Sequence, residues 1–104
     1  MDDADRLSKL DATKAIRDCV ETGRVRLTRH FRDELMMEEL TVGAALHVIQ
    51  HGYVFKEPEY DVKFGQWRYR MEGTEPDGKY VGIVFAFEET KDGVLITIFS
   101  IGVR

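Results

Sequence analysis

The spacing of apolar side chains changes once along this chain, near residue 52, and that change limits the folds open to it. Before it, hydrophobic residues recur every three or four positions, as in Ala12, Ala15, Ile16, Cys19 and Val20; after it they alternate. A helix buries one stripe and a strand one face. Helices first and strands second therefore predict an α+β fold, with N-terminal helices packed on a C-terminal antiparallel sheet.

The first helix is expected over residues 8 to 22, with Asp11 near its start and Gly23 in the stop position. Val25 and Leu27 then alternate with Arg24, Arg26 and Thr28, a short strand that turns its arginines toward solvent or a ligand. Thr28 is placed to cap a second helix that carries Phe31 and Leu35 and runs to about Met37. Thr41 is placed to cap a third, with Val42, Ala45, Leu46 and Ile49 as its stripe and Gly52 as its end. Strands are expected over residues 53 to 57, 66 to 72, 79 to 88 and 94 to 101. Turns at Pro76-Asp77-Gly78 and Lys91-Asp92-Gly93 make the last three an antiparallel meander. Residues 81 to 87 and 94 to 101 are apolar on both faces, which suits central strands. Helices would cover one side of the sheet and leave the other for a cleft or a homodimer contact.

A length of 104 residues suits one domain spanning residues 1 to 104. Hydrophobic residues at 43% against 33% charged separate the chain from disordered sequences. No apolar run approaches the roughly 18 residues of a membrane span, so no membrane association is expected. The opening Met1-Asp2-Asp3-Ala4-Asp5 is acidic where a secretory signal is basic and then apolar, and a cytoplasmic location follows. The only cysteine, Cys19, lies in the first helical stripe and reads as a buried thiol. A net charge of −4 opposes nonspecific nucleic-acid binding. Arg24, Arg26, Arg29 and Arg32 nevertheless collect without an intervening acid, and Asp33, Glu34, Glu38 and Glu39 follow as candidate ion-pair partners.

His30, His47 and His51 form no metal-binding motif, and no glycine-rich phosphate loop occurs, so neither a metal nor another cofactor is expected. His47 and His51 stand one helical turn apart, two ligands without a third. The stretch Gln66-Trp67-Arg68-Tyr69-Arg70 puts Gln66, Arg68 and Arg70 on one strand face and Trp67, Tyr69 and Met71 on the other. Guanidinium groups in a row bind phosphate through their planar forks of donors, or pair with carboxylates such as Glu57 or Glu72. His30 falls in the first turn of the second helix, where the helix N-terminus disfavours protonation. That leaves a neutral imidazole as a base, or a buried histidine bound to backbone.

The order Gly23-Arg24-Val25-Arg26-Leu27-Thr28-Arg29-His30, a helix, Val48-Ile49-Gln50-His51-Gly52, Trp67-Arg68-Tyr69-Arg70, Asp77-Gly78-Lys79 and Ile96-Thr97-Ile98-Phe99 resembles the DUF4258 family. The likeness covers roughly residues 12 to 101. That family is similar in fold to the RelE-like toxins, and in pattern to the motility quorum-sensing regulator toxin, an mRNA-cleaving member of a toxin–antitoxin pair. The resemblance implies a RelE-like fold, mRNA as substrate and an antitoxin protein as partner. It also implies metal-free attack of an RNA 2′-hydroxyl on its adjacent phosphate, which requires a base, an acid and a charge stabiliser.

By position, that toxin's lysine after the third helix matches Lys56, its glutamine beside a tryptophan matches Gln66, and its tyrosine at the head of the next strand matches Tyr80. Lys56, Tyr80, Arg68 and His30 would then form the catalytic set, with Gln66, Arg70, Arg26 and Arg29 binding the RNA. A second lysine of that toxin, after the last strand, has no counterpart in Ser100-Ile101-Gly102. Two functions follow: a toxin-type endoribonuclease or degenerate relative, and a noncatalytic protein-interaction module that works through the open sheet face or an edge strand.

Overall fold

The computed structural model describes residues 5–103; the first four residues of the acidic opening lie outside them. Helix α1 (Lys9–Glu21) begins where the Ser8 hydroxyl accepts the Asp11 amide at 3.1 Å. It ends in a paired reversal, the amides of Gly23 and Arg24 donating to the carbonyls of Val20 and Cys19. Strand β1 (Val25–Leu27) follows. The hydroxyl of Thr28 accepts the Phe31 amide at 3.1 Å to open α2 (Arg29–Met37). That of Thr41 accepts the Ala44 amide at 3.0 Å to open α3 (Val42–His51). Beyond Gly52 come β2 (Tyr53–Val54), β3 (Glu59–Asp61), β4 (Gln66–Thr74), β5 (Lys79–Phe87) and β6 (Gly93–Val103).

The fold is α+β, with helices in the first half and most strands in the second. Strands run in the order β1-β6-β5-β4-β2, and β3 also pairs with β4. The meander of β4, β5 and β6 is antiparallel, as the turn chemistry predicts. Strand β1 joins parallel to β6, Val25 opposite Gly93 and Leu27 opposite Leu95, which makes the sheet mixed rather than purely antiparallel.

The strand expected over residues 53 to 57 is shorter. Only Tyr53 and Val54 pair, with Glu72 and Met71. The chain then leaves the edge before Pro58, which has no amide to donate, and returns as β3 against the lower half of β4.

Ala12, Ile16 and Cys19 from α1 and Ala45, Val48 and Ile49 from α3 meet Tyr69, Met71, Ile83, Phe85 and Leu95 on one face of the sheet. Helix α2 instead lies along β6, adding Phe31 and Leu35 to the core. Its Glu34 and Glu38 carboxylates accept the Ile98 and Ser100 amides at 3.2 and 3.0 Å, so side chains continue along β6 what the backbone of β1 begins. The other face of the sheet carries Gln66, Arg68, Arg70, Glu72, Tyr80, Val84 and Phe99, all partly exposed. Among the described residues no helix is long and apolar enough to cross a membrane.

Candidate functional site

The alternation of β4 divides its side chains as the sequence predicts: Trp67, Tyr69 and Met71 are buried, while Gln66, Arg68, Arg70 and Glu72 line the open face. At about 3.4 Å per residue, successive members of this row stand roughly 7 Å apart. Each arginine already has a carboxylate partner. Arg68 Nη2 lies 2.8 Å from Asp61 Oδ2 on neighbouring β3, and Arg70 Nε lies 2.9 Å from Glu72 Oε2.

Of the two acids expected to pair with the row, Glu72 does so and Glu57 does not. Glu57 falls in the loop before β3, where Lys9 and Arg6 hold it at 3.2 and 2.7 Å and keep its carboxyl below its ordinary range. Pairing passes to Asp61 because β3 returns to β4 only after Pro58.

Each guanidinium also rests on an aromatic ring. Arg68 Cζ is 5.6 Å from the Phe64 centroid, which Lys63 Nζ approaches at 5.4 Å, and Arg70 Cζ is 4.8 Å from the Phe99 centroid. Both Nε atoms are enclosed without a hydrogen-bond acceptor; the Arg70 Nε–H, though close to Glu72, does not point at it. The ion pairs therefore leave hydrogen-bonding capacity unused on both forks.

The remaining predicted residues do not join this row. Tyr80 shares the open face but stands opposite Thr74, six residues beyond Arg68 along β4, roughly 20 Å at about 3.4 Å per residue. Lys56 lies exposed in the loop between β2 and β3, with no ion pair among the described residues. His30 is on α2, at the other side of the sheet. From β6 to β2 there are three strand spacings, so His30 and Lys56 are separated by roughly 14 Å or more at about 4.8 Å per spacing. His30 is exposed rather than buried, and its Nε2 lies 3.0 Å from Glu34 Oε1, a side-chain partner instead of a backbone one. Arg29 is exposed beside it, and Arg26 Nε lies 3.1 Å from Glu88 Oε1 on the β1 side of the sheet.

His47 and His51 bring their ring centroids to 4.4 Å, yet no group of three metal-ligating side chains occurs among the described residues. Cys19 is buried, as its place in the helical stripe predicts, and desolvation raises its thiol pKa.

Asp61, Phe64 and Phe99 complete the open face and were not among the predicted residues. Gly82, a glycine inside an otherwise apolar strand, is the sequence signal that another group approaches closely there. No curated protein and no solved structure matches the chain significantly. The family described as a domain of unknown function, DUF4258, matches residues 27–100, which include α2, the Lys56 loop and all of β4 and β5. That match extends over more than half of the sequence, and the chain belongs to the DUF4258 family.

Proposed function

We propose that this protein is a toxin–antitoxin type RNA-binding protein, a degenerate relative of the metal-free mRNA endoribonucleases, which holds single-stranded RNA on the open face of β4. The observation that carries this reading is the pair of guanidinium–aromatic contacts, Arg68 with Phe64 and Arg70 with Phe99, displayed side by side on one exposed face. Single strands are held by cations along the backbone and by rings on which bases stack, and this face offers both. The resemblance of the DUF4258 pattern to that of the motility quorum-sensing regulator toxin supports RNA as the ligand. An antitoxin that masks the same face belongs to the same proposal.

Cleavage is a separate matter. A general base works within about 3 Å of the proton it removes. Lys56, Tyr80 and His30 lie on separate parts of the sheet and α2, so the reading assigns this chain binding without an assembled cleavage centre.

Fluorescence anisotropy with a labelled single-stranded RNA at low salt tests the proposal. Wild-type protein is expected to bind, and the folded Arg68→Ala/Arg70→Ala variant to bind at least about tenfold more weakly, a difference of about 1.4 kcal/mol. No binding by wild type, or equal binding by the variant, overturns it. Expression in cells tests the second half: RNA cut by wild type and left intact by Lys56→Ala/Tyr80→Phe would restore the endoribonuclease reading.

A further inference from the structure

On the β2 side of the molecule a second surface stands apart from the arginine row. Leu10, Tyr53 and Phe55 are 60%, 55% and 55% exposed, unusual for large apolar side chains gathered in one place. They surround a hollow of about 340 Å³ between α1 and β2, lined also by Lys9, Thr13 and Val54. The hollow is shallow and open to solvent, and suits one or two large side chains better than an enclosed small molecule.

The rim is basic in a chain whose net charge is −4. Lys9 lines the hollow, Lys14 stands one helical turn beyond Leu10, and Lys56 follows Phe55. Arg17 places its Cζ 5.4 Å from the Tyr53 ring centroid. The carboxylate of Glu57 is held between Arg6 and Lys9, whereas Lys14 and Lys56 have no ion-pair partner among the described residues. Apolar floor and cationic rim together call for an occupant with oily side chains on an acidic backbone segment.

The edge also indicates how such an occupant enters. The outward amide of Val54 donates to the Thr13 hydroxyl at 3.2 Å, and that hydroxyl donates to the Lys9 carbonyl at 2.9 Å. With this donor already satisfied from α1, a partner strand gains little by adding to β2. Side-chain insertion remains.

We propose that the hollow formed by Leu10, Tyr53 and Phe55 is a docking site for an acidic segment of a partner protein that inserts leucine- or phenylalanine-sized side chains. The site is independent of the RNA-binding reading and stands whether or not that reading holds.

Two labelled synthetic peptides of equal length test it, one alternating leucine and phenylalanine with glutamate, the other with lysine in place of glutamate. By anisotropy the acidic peptide is expected to bind at least about tenfold more tightly, with the preference shrinking as salt is added. Leu10→Ser/Phe55→Ser changes exposed side chains and should fold normally while losing the binding. Lys14→Glu/Lys56→Glu should remove the preference for the acidic peptide, and Val62→Ser, at the exposed β3–β4 turn, should leave peptide binding unchanged. The proposal fails if the wild type binds neither peptide, if it binds both equally, or if the turn variant loses binding as much as the hollow variant. It fails equally if the hollow instead mediates a concentration-dependent dimer that leaves the peptide no access.

Discussion

The ring of Phe99 on β6 fills the space that a side chain at Gly82 on β5 would occupy: a Cβ at residue 82 would stand 2.4 Å from Phe99 Cζ. Gly82 is paired with Phe99 on one side and Glu72 on the other. The absence of a side chain there lets the ring reach across β5 to Arg70 on β4, whose guanidinium carbon lies 4.8 Å from its centroid. An aromatic–guanidinium contact thereby spans three strands. Such contacts contribute about 0.5–1 kcal/mol at exposed sites, so this one organises the face more than it stabilises the fold.

Two glycines distinguish a yielding neighbour from an unyielding one. At Gly82 the obstacle is a partly exposed ring, which can swing aside; Gly82→Ala should cost about 1 kcal/mol and move Phe99 off Arg70. At Gly52 a Cβ would stand 2.5 Å from the Glu72 carbonyl oxygen and 2.6 Å from that of Val48, both backbone. Gly52→Ala should therefore cost about 3 kcal/mol, since the end of α3 and strand β4 must separate. Urea unfolding midpoints measure both. Equal losses would show that the α3–β4 contact is softer than its distances indicate.

The carboxylates beside the arginine row compete with any phosphate placed there. Removing their charge while keeping their shape should raise affinity for single-stranded RNA: Glu72→Gln and Asp61→Asn are each expected to tighten binding by about threefold to tenfold at low salt. Glu88→Gln, which alters the partner of Arg26 on the far side of the sheet, should have little effect. Each arginine newly engaged by phosphate should also steepen the dependence of log K on log salt by about 0.7. Unchanged affinity in both row variants would mean that RNA does not contact this face.

Local chemistry made most of the fold readable. Thr28 and Thr41 cap their helices as expected, Gly23 and Gly52 follow the first and third, and the two turns define the meander. What stayed hidden depends on partners distant in sequence. Strand β3 is too short to show a period, and only pairing with β4 makes Glu59, Tyr60 and Asp61 a strand. The parallel seat of β1 on β6 joins residues more than sixty positions apart. The site behaves likewise. Alternation identified Gln66, Arg68 and Arg70 as one row, but which acid and which ring meets each arginine is set by strand register and by Gly82.

The carboxylates of α2 act as edge protection for β6, and the amide and acid forms of residue 34 separate acceptor from bulk. Glu34→Ala leaves the Ile98 amide without its acceptor and should cost about 1–3 kcal/mol if that amide stays dry. Glu34→Gln keeps a side-chain oxygen in place and should cost less than about 1 kcal/mol. Amide hydrogen exchange at Ile98 gives the local reading: faster in the alanine variant, close to wild type in the glutamine variant. Equal exchange in all three proteins would mean that α2 shields the edge by bulk alone.

The connection between β1 and the β5–β6 turn should carry an acid-dependent part of the stability. Arg24 Nε donates to Asp92 Oδ1 at 2.7 Å, and the Thr90 hydroxyl donates to Asp92 Oδ2 at 2.9 Å. The first of these bonds is the main cause, and the second the next, of an Asp92 carboxyl held below its ordinary value of 3.8. A depressed acid stabilises the folded state fully above its unfolded value and loses that contribution as pH falls through the lower folded value. The difference in Tm between wild type and Asp92→Asn should therefore be constant near neutral pH and shrink once the pH drops below about 4. Because the pair lies at the surface, added salt should also reduce the difference at neutral pH. A difference that persists unchanged at pH 2 to 3 would assign the effect to the shape of the turn instead of to the charge on Asp92.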